Sequence, residues 1–278
     1  MYPVLDLGFM EIPLYSLIFA VAFVAMIFMA RKLAERFEYP KSDIVNVCIY
    51  GGVGILIGAK IMYFISKLPM IITNFEWYLD YFERDFEGAI NYSFGGMVFY
   101  GGLIGAVAGA YIYCRKHIMP FTPLMDIFAP LIPFVHGWGR VGCFMAGCCY
   151  GIEYHGFGCV QFPANELIAE LDDVPRVPVQ LLEAGFNFII AIVLYMLIRR
   201  GKMKAGQLMG IYLVYYTVVR FAMEMLRGDA ERGSVGGIST SQIISIVLIP
   251  IGIVLIHGGW LGKRMERRKR ATDTESEE

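Results

Sequence analysis

Charged residues are scarce in this chain of 278 residues: Asp, Glu, Lys and Arg make up 18% of it, and hydrophobic residues make up 57%. Soluble domains run nearer ~25% charged, so an ordinary soluble domain is excluded. There is no Pro/Ser-rich linker to divide the chain, and no basic stripe with interleaved aromatics of the kind that binds nucleic acid. The first residues, MYPVLDLGFMEIP, contain no Lys or Arg, so they do not resemble a cleavable signal peptide.

Long apolar segments recur along the chain instead. A helix that crosses a bilayer needs roughly 20 mostly apolar residues, and this criterion predicts an all-α, polytopic membrane protein with seven transmembrane helices. The predicted spans are Ile12–Ala30, Ile44–Ile65, Phe94–Cys114, Pro123–Gly139, Pro178–Ile198, Gly206–Leu226 and Thr240–His257. We expect residues 1–262 to form one membrane domain with an outer loop region at 140–177. Residues 263–278 would be a basic, then acidic, cytoplasmic tail.

The distribution of basic residues predicts the orientation. Most of the 24 Lys and Arg residues fall in the first, third and fifth loops and in the tail: Arg31, Lys32, Arg36, Lys41, Arg115, Lys116, Arg199, Arg200, Lys202, Lys204 and six between Lys263 and Arg270. The second and fourth loops are acidic instead. The N-terminus is therefore expected outside the cell and the C-terminus in the cytoplasm.

Polar residues converge on the outer half of the predicted bundle: Tyr15, Lys60, Tyr100, Arg140, Gln180, Glu183, Arg220, Glu224 and Arg227. Placing an ionisable group in a membrane costs free energy, so each of these residues is a candidate for a functional role. Snorkelling to the interface would explain Lys60 and Arg227, and Arg220 with Glu224 could be a structural pair at i, i+4 spacing. Several arginines at one depth suit a phosphate, because guanidinium offers a fork of donors to its oxygens. In the outer leaflet, that phosphate is most simply a phospholipid headgroup.

Glycines spaced by four residues, Gly54 with Gly58 and Gly101 with Gly105 and Gly109, predict close helix packing. A dinucleotide or P-loop site would need a strand before its helix, and none is predicted. In the stretch GGMVFYGGLIG, Tyr100 stands between two glycine pairs, where it could face a cavity.

Cysteines cluster in GRVGCFMAGCCYG, residues 139–151: Cys143, Cys148 and Cys149, with Cys159 soon after. An oxidising exterior favours a disulfide, with Cys143 and Cys159 the better pair because adjacent cysteines rarely bridge each other. A zinc site with His136 or His155 matches the usual spacings poorly. The cysteines could also be small residues beside a ligand, or include a reactive thiol acidified by Arg140. The sequence leaves these four alternatives open.

Six stretches together resemble the bacterial prolipoprotein diacylglyceryl transferases: GRVGCFMAGCCYG, GGMVFYGGLIGA, VPVQLLEA, YYTVVRFAMEMLR, GVGILIGAKIMYF and STSQIISI. The resemblance covers about residues 12–260. It implies a seven-span enzyme of the bacterial cytoplasmic membrane that moves the diacylglyceryl group of phosphatidylglycerol, or a related anionic phospholipid, onto the lipobox cysteine of a prolipoprotein signal peptide. No cofactor, metal or nucleic acid is implied.

The same resemblance implies roles for individual residues. Arg140 would hold the headgroup, Arg220 with Glu224 would form a second clamp, and Tyr15 would face the lipid. Gln180, Glu183, Gly147 and Gly151 would shape the pocket. Lys60 and Arg227 complete the expected substrate-binding set.

The sequence departs from the family pattern at its acid/base positions. Tyr100 replaces a histidine, Cys143 and Cys148 replace Asn and Glu, and Ala146 replaces a second Asn. We expect Tyr100, Arg140, Cys143, Cys148, Arg220 and Glu224 to form the catalytic set. Two alternatives remain: a paralogous transferase with another acceptor, or a lipid-binding or transport protein without chemistry.

Overall fold

The computed structural model describes residues 4–6, 8, 11–162, 174–228, 234–235 and 238–258, and it is mostly helical, as predicted. The helices are α1 (Leu14–Ala34), α2 (Lys41–Thr73), α3 (Phe75–Arg84), α4 (Phe86–Phe94), α5 (Phe99–Lys116), α6 (Phe121–Phe128), α7 (Leu131–Ala146), α8 (Val179–Arg200), α9 (Gln207–Glu224) and α10 (Thr240–His257), with a 3₁₀ turn at Glu35–Phe37. The predicted tail, residues 263–278, lies outside the described part.

Short antiparallel strand pairs complete the described secondary structure. β1 (Val4–Asp6) pairs with β2 (Glu11–Pro13), β3 (Val160–Gln161) with β4 (Pro175–Arg176), and β5 (Ser234–Val235) with β6 (Ile238–Ser239). None of these strands exceeds three residues in length, so the helices set the architecture.

Several helices are long and apolar enough to cross a membrane. Among the described residues these are Leu14–Phe37, Lys41–Thr73 and Val179–Arg200. Large apolar side chains on these helices are exposed, including Val21, Phe28, Leu56, Ile57 and Ile192. An apolar surface of this extent is typical of helices that face lipid.

Two predicted spans are interrupted in the structure. The third, Phe94–Cys114, includes only the last residue of α4 before the break at residues 95–98 and then follows α5. The helices α4 and α5 meet at a 73° bend and would together make one further span. The fourth is divided into α6 and α7 by a turn at Ala129–Pro130. The residue before a proline is pushed out of the helical region, which explains the break before Pro130. Pro133 lies in the first turn of α7, where a missing N–H costs nothing. The count of seven spans stays a prediction.

The chain forms two compact units. Residues Arg31–Phe121 form one, and the described residues before Arg31 and after Phe121 form the other. In the Arg31–Phe121 unit, α2 packs closely along α5. A methyl group on Gly105 would overlap the carbonyl of Gly54, and one on Gly101 would overlap that of Gly58. The predicted packing role of these glycines is confirmed.

In the other unit, α8 packs against α7 and α9, and α9 packs along α10. Asp126, on α6, is almost fully buried. Its carboxylate accepts the backbone N–H groups of Gly206 at 2.6 Å and Met209 at 3.0 Å. The first N–H groups of a helix have no partner within it, so Asp126 fixes where α9 begins.

Candidate functional site

A buried network of opposite charges joins three helices of this unit. Glu183 on α8 lies between two arginines: Arg140 Nε of α7 is 2.5 Å from Glu183 Oε2, and Arg220 Nη1 of α9 is 3.5 Å from Glu183 Oε1. A second nitrogen of Arg140, Nη2, donates to Glu183 Oε1 at 3.2 Å. Arg220 Nη2 also lies 2.7 Å from Glu224 Oε2. The Glu183 side chain is 2% exposed and that of Arg220 is 7%.

The start of α8 contributes three polar side chains that are buried within one helix face. Gln180 is fully buried, and its amide donates to the carbonyl of Cys148 at 2.7 Å. Asn187 donates to the backbone carbonyl of Glu183 at 2.8 Å. The spacing from Glu183 to Asn187 is one helical turn. The first turns of α8 therefore support both the ion network and the loop after α7.

The chain leaves α7 through two residues with left-handed backbone. Gly147 ends the helix at φ 74°, the usual role of glycine at this position. Cys149 has φ 63°, which is uncommon for a residue with a side chain. The thiol of Cys148 donates to the backbone carbonyl of Cys143 at 3.6 Å. The loop thus folds back onto the last turn of α7.

This turn brings three sulfur atoms together. The Sγ atoms of Cys143, Cys148 and Cys149 all lie within 4.8 Å of one another, and all three residues are partly buried. All six cysteines are described, and none forms a disulfide in the structure. Hydrogen bonds from Cys143 and Cys148 lower the pKa of the Cys149 thiol, and the charges of Arg227 and Arg140 lower it further, against an opposing effect of burial.

The end of the cysteine-rich stretch is held on both sides by backbone hydrogen bonds. Gly151 N donates to Val177 O at 3.1 Å, and Gly228 N donates to Tyr150 O at 3.2 Å. Gly151 also forms an antiparallel bridge with Arg227. A methyl group on Gly151 would lie 2.5 Å from the Val177 carbonyl and 2.9 Å from that of Leu226. Glycine is required here by the close approach of three segments.

Aromatic residues surround this loop. Tyr150 and Phe162 are buried against each other with Phe144 and Val160, and the guanidinium of Arg176 lies 4.6 Å from the centre of the Tyr150 ring. Tyr15, at the start of α1, packs against α7 at Gly142, where an added methyl group would lie 2.9 Å from the tyrosine ring. Tyr15 remains 41% exposed, so its ring is only partly covered.

The structure thus brings together most of the predicted site residues. Those found in this unit are Tyr15, Arg140, Cys143, Gly147, Cys148, Gly151, Gln180, Glu183, Arg220, Glu224 and Arg227. Tyr100 and Lys60 belong to the Arg31–Phe121 unit. Lys60 Nζ donates there to the carbonyls of Phe94 and Gly95, at the end of α4, and the Tyr100 ring packs edge-on against Phe99 with centroids 5.6 Å apart.

Three supporting residues were not predicted from sequence: Asn187, Arg176 and Asp126. Asn187 could have been found, since an amide one turn after Glu183 interrupts an apolar span. Asp126 could also have been found, as an acid inside the fourth predicted span. Arg176 carries no comparable signal, because its contact with Tyr150 depends on the path of the loop.

Comparison with known proteins extends over nearly the whole chain. The family model described as prolipoprotein diacylglyceryl transferase matches residues 3–257. A phosphatidylglycerol–prolipoprotein diacylglyceryl transferase of Clostridium tetani is 31% identical over 92% of this chain and 97% of that protein. The second such transferase of Clostridium perfringens is 31% identical over 91% and 93%, and that of Rickettsia bellii is 30% identical over 91% and 93%. The chain belongs to the prolipoprotein diacylglyceryl transferase family.

Proposed function

We propose that this chain transfers the diacylglyceryl group of phosphatidylglycerol to the cysteine thiol of a prolipoprotein. Family membership and the names of the three relatives support this reaction. The structural observation that carries the proposal is the burial of Glu183 between Arg140 and Arg220. Burying ions is costly, and a site that keeps two guanidinium groups beside one carboxylate is suited to an anionic headgroup.

Arg140 and Arg220 bind the phosphate of the donor lipid and stabilise the charge of the leaving group. In the transfer, the acceptor thiol loses its proton to water, and its sulfur forms a bond to the terminal glycerol carbon of the diacylglyceryl group. The bond from that carbon to the phosphate oxygen breaks, and glycerol phosphate leaves as an anion. Positive groups already aimed at a developing charge are an effective source of rate enhancement. Glu183 holds both arginines in position, and Glu224 fixes the far side of Arg220.

The remaining site residues have supporting roles in this proposal. Tyr15 contacts the acyl or glycerol part of the lipid, and Gln180, Gly147 and Gly151 shape the pocket wall through the loop after α7. Arg227 adds positive charge at the same loop. Cys143, Cys148 and Tyr100 occupy the positions of the family's Asn, Glu and His and are proposed to act on the acceptor. Lys60 is proposed to contact the headgroup region of the lipid.

The proposal includes the arrangement in the membrane. The enzyme acts at the outer face of a bacterial cytoplasmic membrane, as a multi-pass protein with seven spans, the N-terminus outside and residues 263–278 in the cytoplasm. Residues 1–262 act as one transferase domain. Phosphatase fusions after Gly151 and after Lys202 test this arrangement: activity is expected only for the first fusion, and activity of the Lys202 fusion would contradict the orientation.

Arg140→Ala and Arg220→Ala are expected to reduce lipid transfer at least ~100-fold, the usual loss when a group that stabilises developing charge is removed. The measurement is the mass shift of a reporter prolipoprotein in a strain depleted of its own transferase. Arg199→Ala is the matched control, because Arg199 is exposed in the last turn of α8 and its activity is expected to be unchanged.

Membrane abundance and gel filtration of the detergent-solubilised variants show that they are folded. Full activity of either arginine variant would contradict the headgroup clamp. Absence of lipidation by the unmodified chain, with anionic phospholipid still bound, would favour a lipid-binding protein without transferase activity.

A further inference from the structure

The three sulfurs after α7 have the spacing of a metal site. In a tetrahedral zinc site with Zn–S bonds of about 2.3 Å, the sulfurs lie about 3.8 Å apart. The Sγ atoms of Cys143, Cys148 and Cys149 already lie within 4.8 Å of one another. Rotamer changes of less than about 1 Å at each sulfur would therefore complete the site.

The backbone is arranged to make this convergence possible. Cys143 is in the last turn of α7, and the chain reverses through Gly147 and Cys149, both with positive φ. Left-handed backbone at a residue with a side chain costs energy and is retained where the surroundings require it. The carbonyl of Cys148 is fixed by the fully buried amide of Gln180 at 2.7 Å. The backbone of Cys148 is thus held by a contact outside the cluster.

We propose that Cys143, Cys148 and Cys149 bind Zn²⁺ as a three-thiolate site, whose fourth position takes the acceptor thiol. Among the described residues, no His, Asp or Glu ligand atom joins the three sulfurs. His155 Nε2 is instead hydrogen-bonded to Glu153 Oε1 at 2.9 Å. The ring of His136 packs against that of Tyr216, with centroids 5.8 Å apart. Three protein ligands and one open position are the pattern of catalytic zinc, whereas structural zinc has four.

Charge compensation is available at the site. Zinc with three thiolates carries one negative charge, and a bound acceptor thiolate adds a second. Arg140 precedes Cys143 by three residues on α7, and Arg227 forms a backbone bridge with Gly151, two residues after Cys149. Two positive groups beside an anionic metal site lower the cost of placing it in a partly buried loop.

The part of this inference that concerns the acceptor rests on the proposed function. The acceptor thiol binds the metal and loses its proton to water. The metal-bound thiolate sulfur then forms the bond to the glycerol carbon as the carbon–oxygen bond to phosphate breaks, and glycerol phosphate leaves with that electron pair. The thioether product is a weaker ligand than a thiolate and dissociates. No oxidant or reductant is required. Zinc thus replaces the base that this chain lacks at the family's histidine position.

The first test measures zinc in the detergent-purified full chain by mass spectrometry of the elements. The wild type is expected to hold about one zinc per chain, and Cys143→Ser, Cys148→Ser and Cys149→Ser are each expected to lower the content at least ~10-fold. Cys159→Ser is the matched control in the same outer loop region and is expected to keep its zinc. Zinc should also raise the unfolding temperature of the wild type and of the Cys159→Ser control, but not that of the three cluster variants. Equal zinc in all variants, or a disulfide within the cluster in protein that holds no metal, would overturn the proposal.

The second test uses Cd²⁺, whose thiolate charge-transfer absorption reports the number of sulfur ligands. A lipobox peptide with its cysteine is expected to raise the absorption of the Cd²⁺ form by about one third, from three thiolates to four, and a peptide with serine should leave it unchanged. Equal effects of the two peptides would overturn the acceptor role. Metal binding without any lipidation by the wild type would instead count against the proposed function. Full lipidation by the triple serine variant would overturn the zinc role and leave the proposed function standing.

Discussion

The helix pairs α2–α5 and α7–α8 differ in what holds them together: α2 and α5 are joined by glycine packing and by a hydrogen bond from Tyr113 to Asp43, without an ion pair between their described residues. The first pair brings backbone against backbone at Gly54, Gly58, Gly101 and Gly105. The second is joined by a buried ion pair between Arg140 and Glu183, with side chains 14% and 2% exposed. Lipid tails are as apolar as the side chains they touch, so helices in a membrane associate through close packing or polar contacts. Close glycine packing also occurs between α9 and α10, at Gly210 and Gly252, so the buried ion network, not glycine packing, distinguishes the second unit.

The difference separates scaffold from site. Glycine packing gives close contact without any group that could bind or react, and it costs no desolvation. Buried charges cost several kcal/mol each to desolvate and often add no net stability. The α2–α5 pair shows that two helices of this chain pack closely without an ion pair between their described residues, so packing alone does not call for Arg140, Glu183 and Arg220. Under the proposed function, these charges serve a ligand that needs positive charge at that place.

The largest effect is expected from Glu183, which compensates two arginines at once. Glu183→Ala leaves two guanidinium groups buried beside an empty space, and loss of a partner from a buried pair costs about 3–5 kcal/mol. We expect lipid transfer to be abolished and the free energy of unfolding in detergent to fall by that amount.

Glu224→Gln is the matched comparison for Glu183. It removes only one partner of Arg220 and leaves the Arg140–Glu183 pair intact, so we expect a smaller loss of stability. If both variants were equally destabilised, or if Glu183→Ala were as stable as the wild type, Glu183 would not be the centre of the network.

A smaller loss of stability, with no direct effect on the transfer reaction, is expected from Gly105→Ala, which changes the α2–α5 pair. Its added methyl group would overlap the carbonyl of Gly54, and overpacking of a tight interface costs about 1–3 kcal/mol. The unfolding temperature should fall, while the transfer rate per folded molecule stays near that of the wild type.

Gly52→Ala is the control for this substitution. Gly52 is also in α2, but nothing lies within 4 Å of the position of its added methyl group. Alanine is favoured over glycine within a helix by about 1 kcal/mol, so this variant should be slightly more stable than the wild type. Equal losses for both variants would show that close packing of α2 with α5 is not what the glycines provide.

The sequence predicted the charged site better than the path of the backbone. Apolar length alone predicted the helices at the fifth, sixth and seventh spans. The fifth, for example, was predicted at Pro178–Ile198 and corresponds to α8, Val179–Arg200. Tracing helix direction also placed Arg140, Glu183 and Arg220 at one depth, and the structure joins them. Depth follows from residue count along a helix, so it is readable from sequence.

The breaks and the turn were not readable in that way. The break in the fourth span follows from Pro130, a local signal, whereas the 73° bend between α4 and α5 does not follow from residue count. The convergence of three sulfurs depends on left-handed backbone at Cys149, which a propensity argument would assign to glycine. The spacing of the cysteines along the sequence is a weak match to zinc templates, because those templates do not include the left-handed turn that brings the three sulfurs together.

The smallest expected effect tests whether every buried charge of the second unit belongs to the site. Asp126 is buried, but its carboxylate accepts the N–H groups of Gly206 and Met209 at the start of α9, so its role is structural. We expect Asp126→Ala to lower the free energy of unfolding by about 1–2 kcal/mol, the upper range for loss of a helix cap. Lipid transfer per folded molecule should fall only a few-fold, through the altered position of Arg220 on the same helix. Asp85→Ala removes an exposed capping carboxylate that accepts the backbone N–H of Gly88 at the start of α4. This variant should cost less than about 1 kcal/mol and leave transfer unchanged. A loss of transfer by Asp126→Ala as large as that of Arg140→Ala would place Asp126 in the site, and the contrast between structural and functional charges would then fail at this residue.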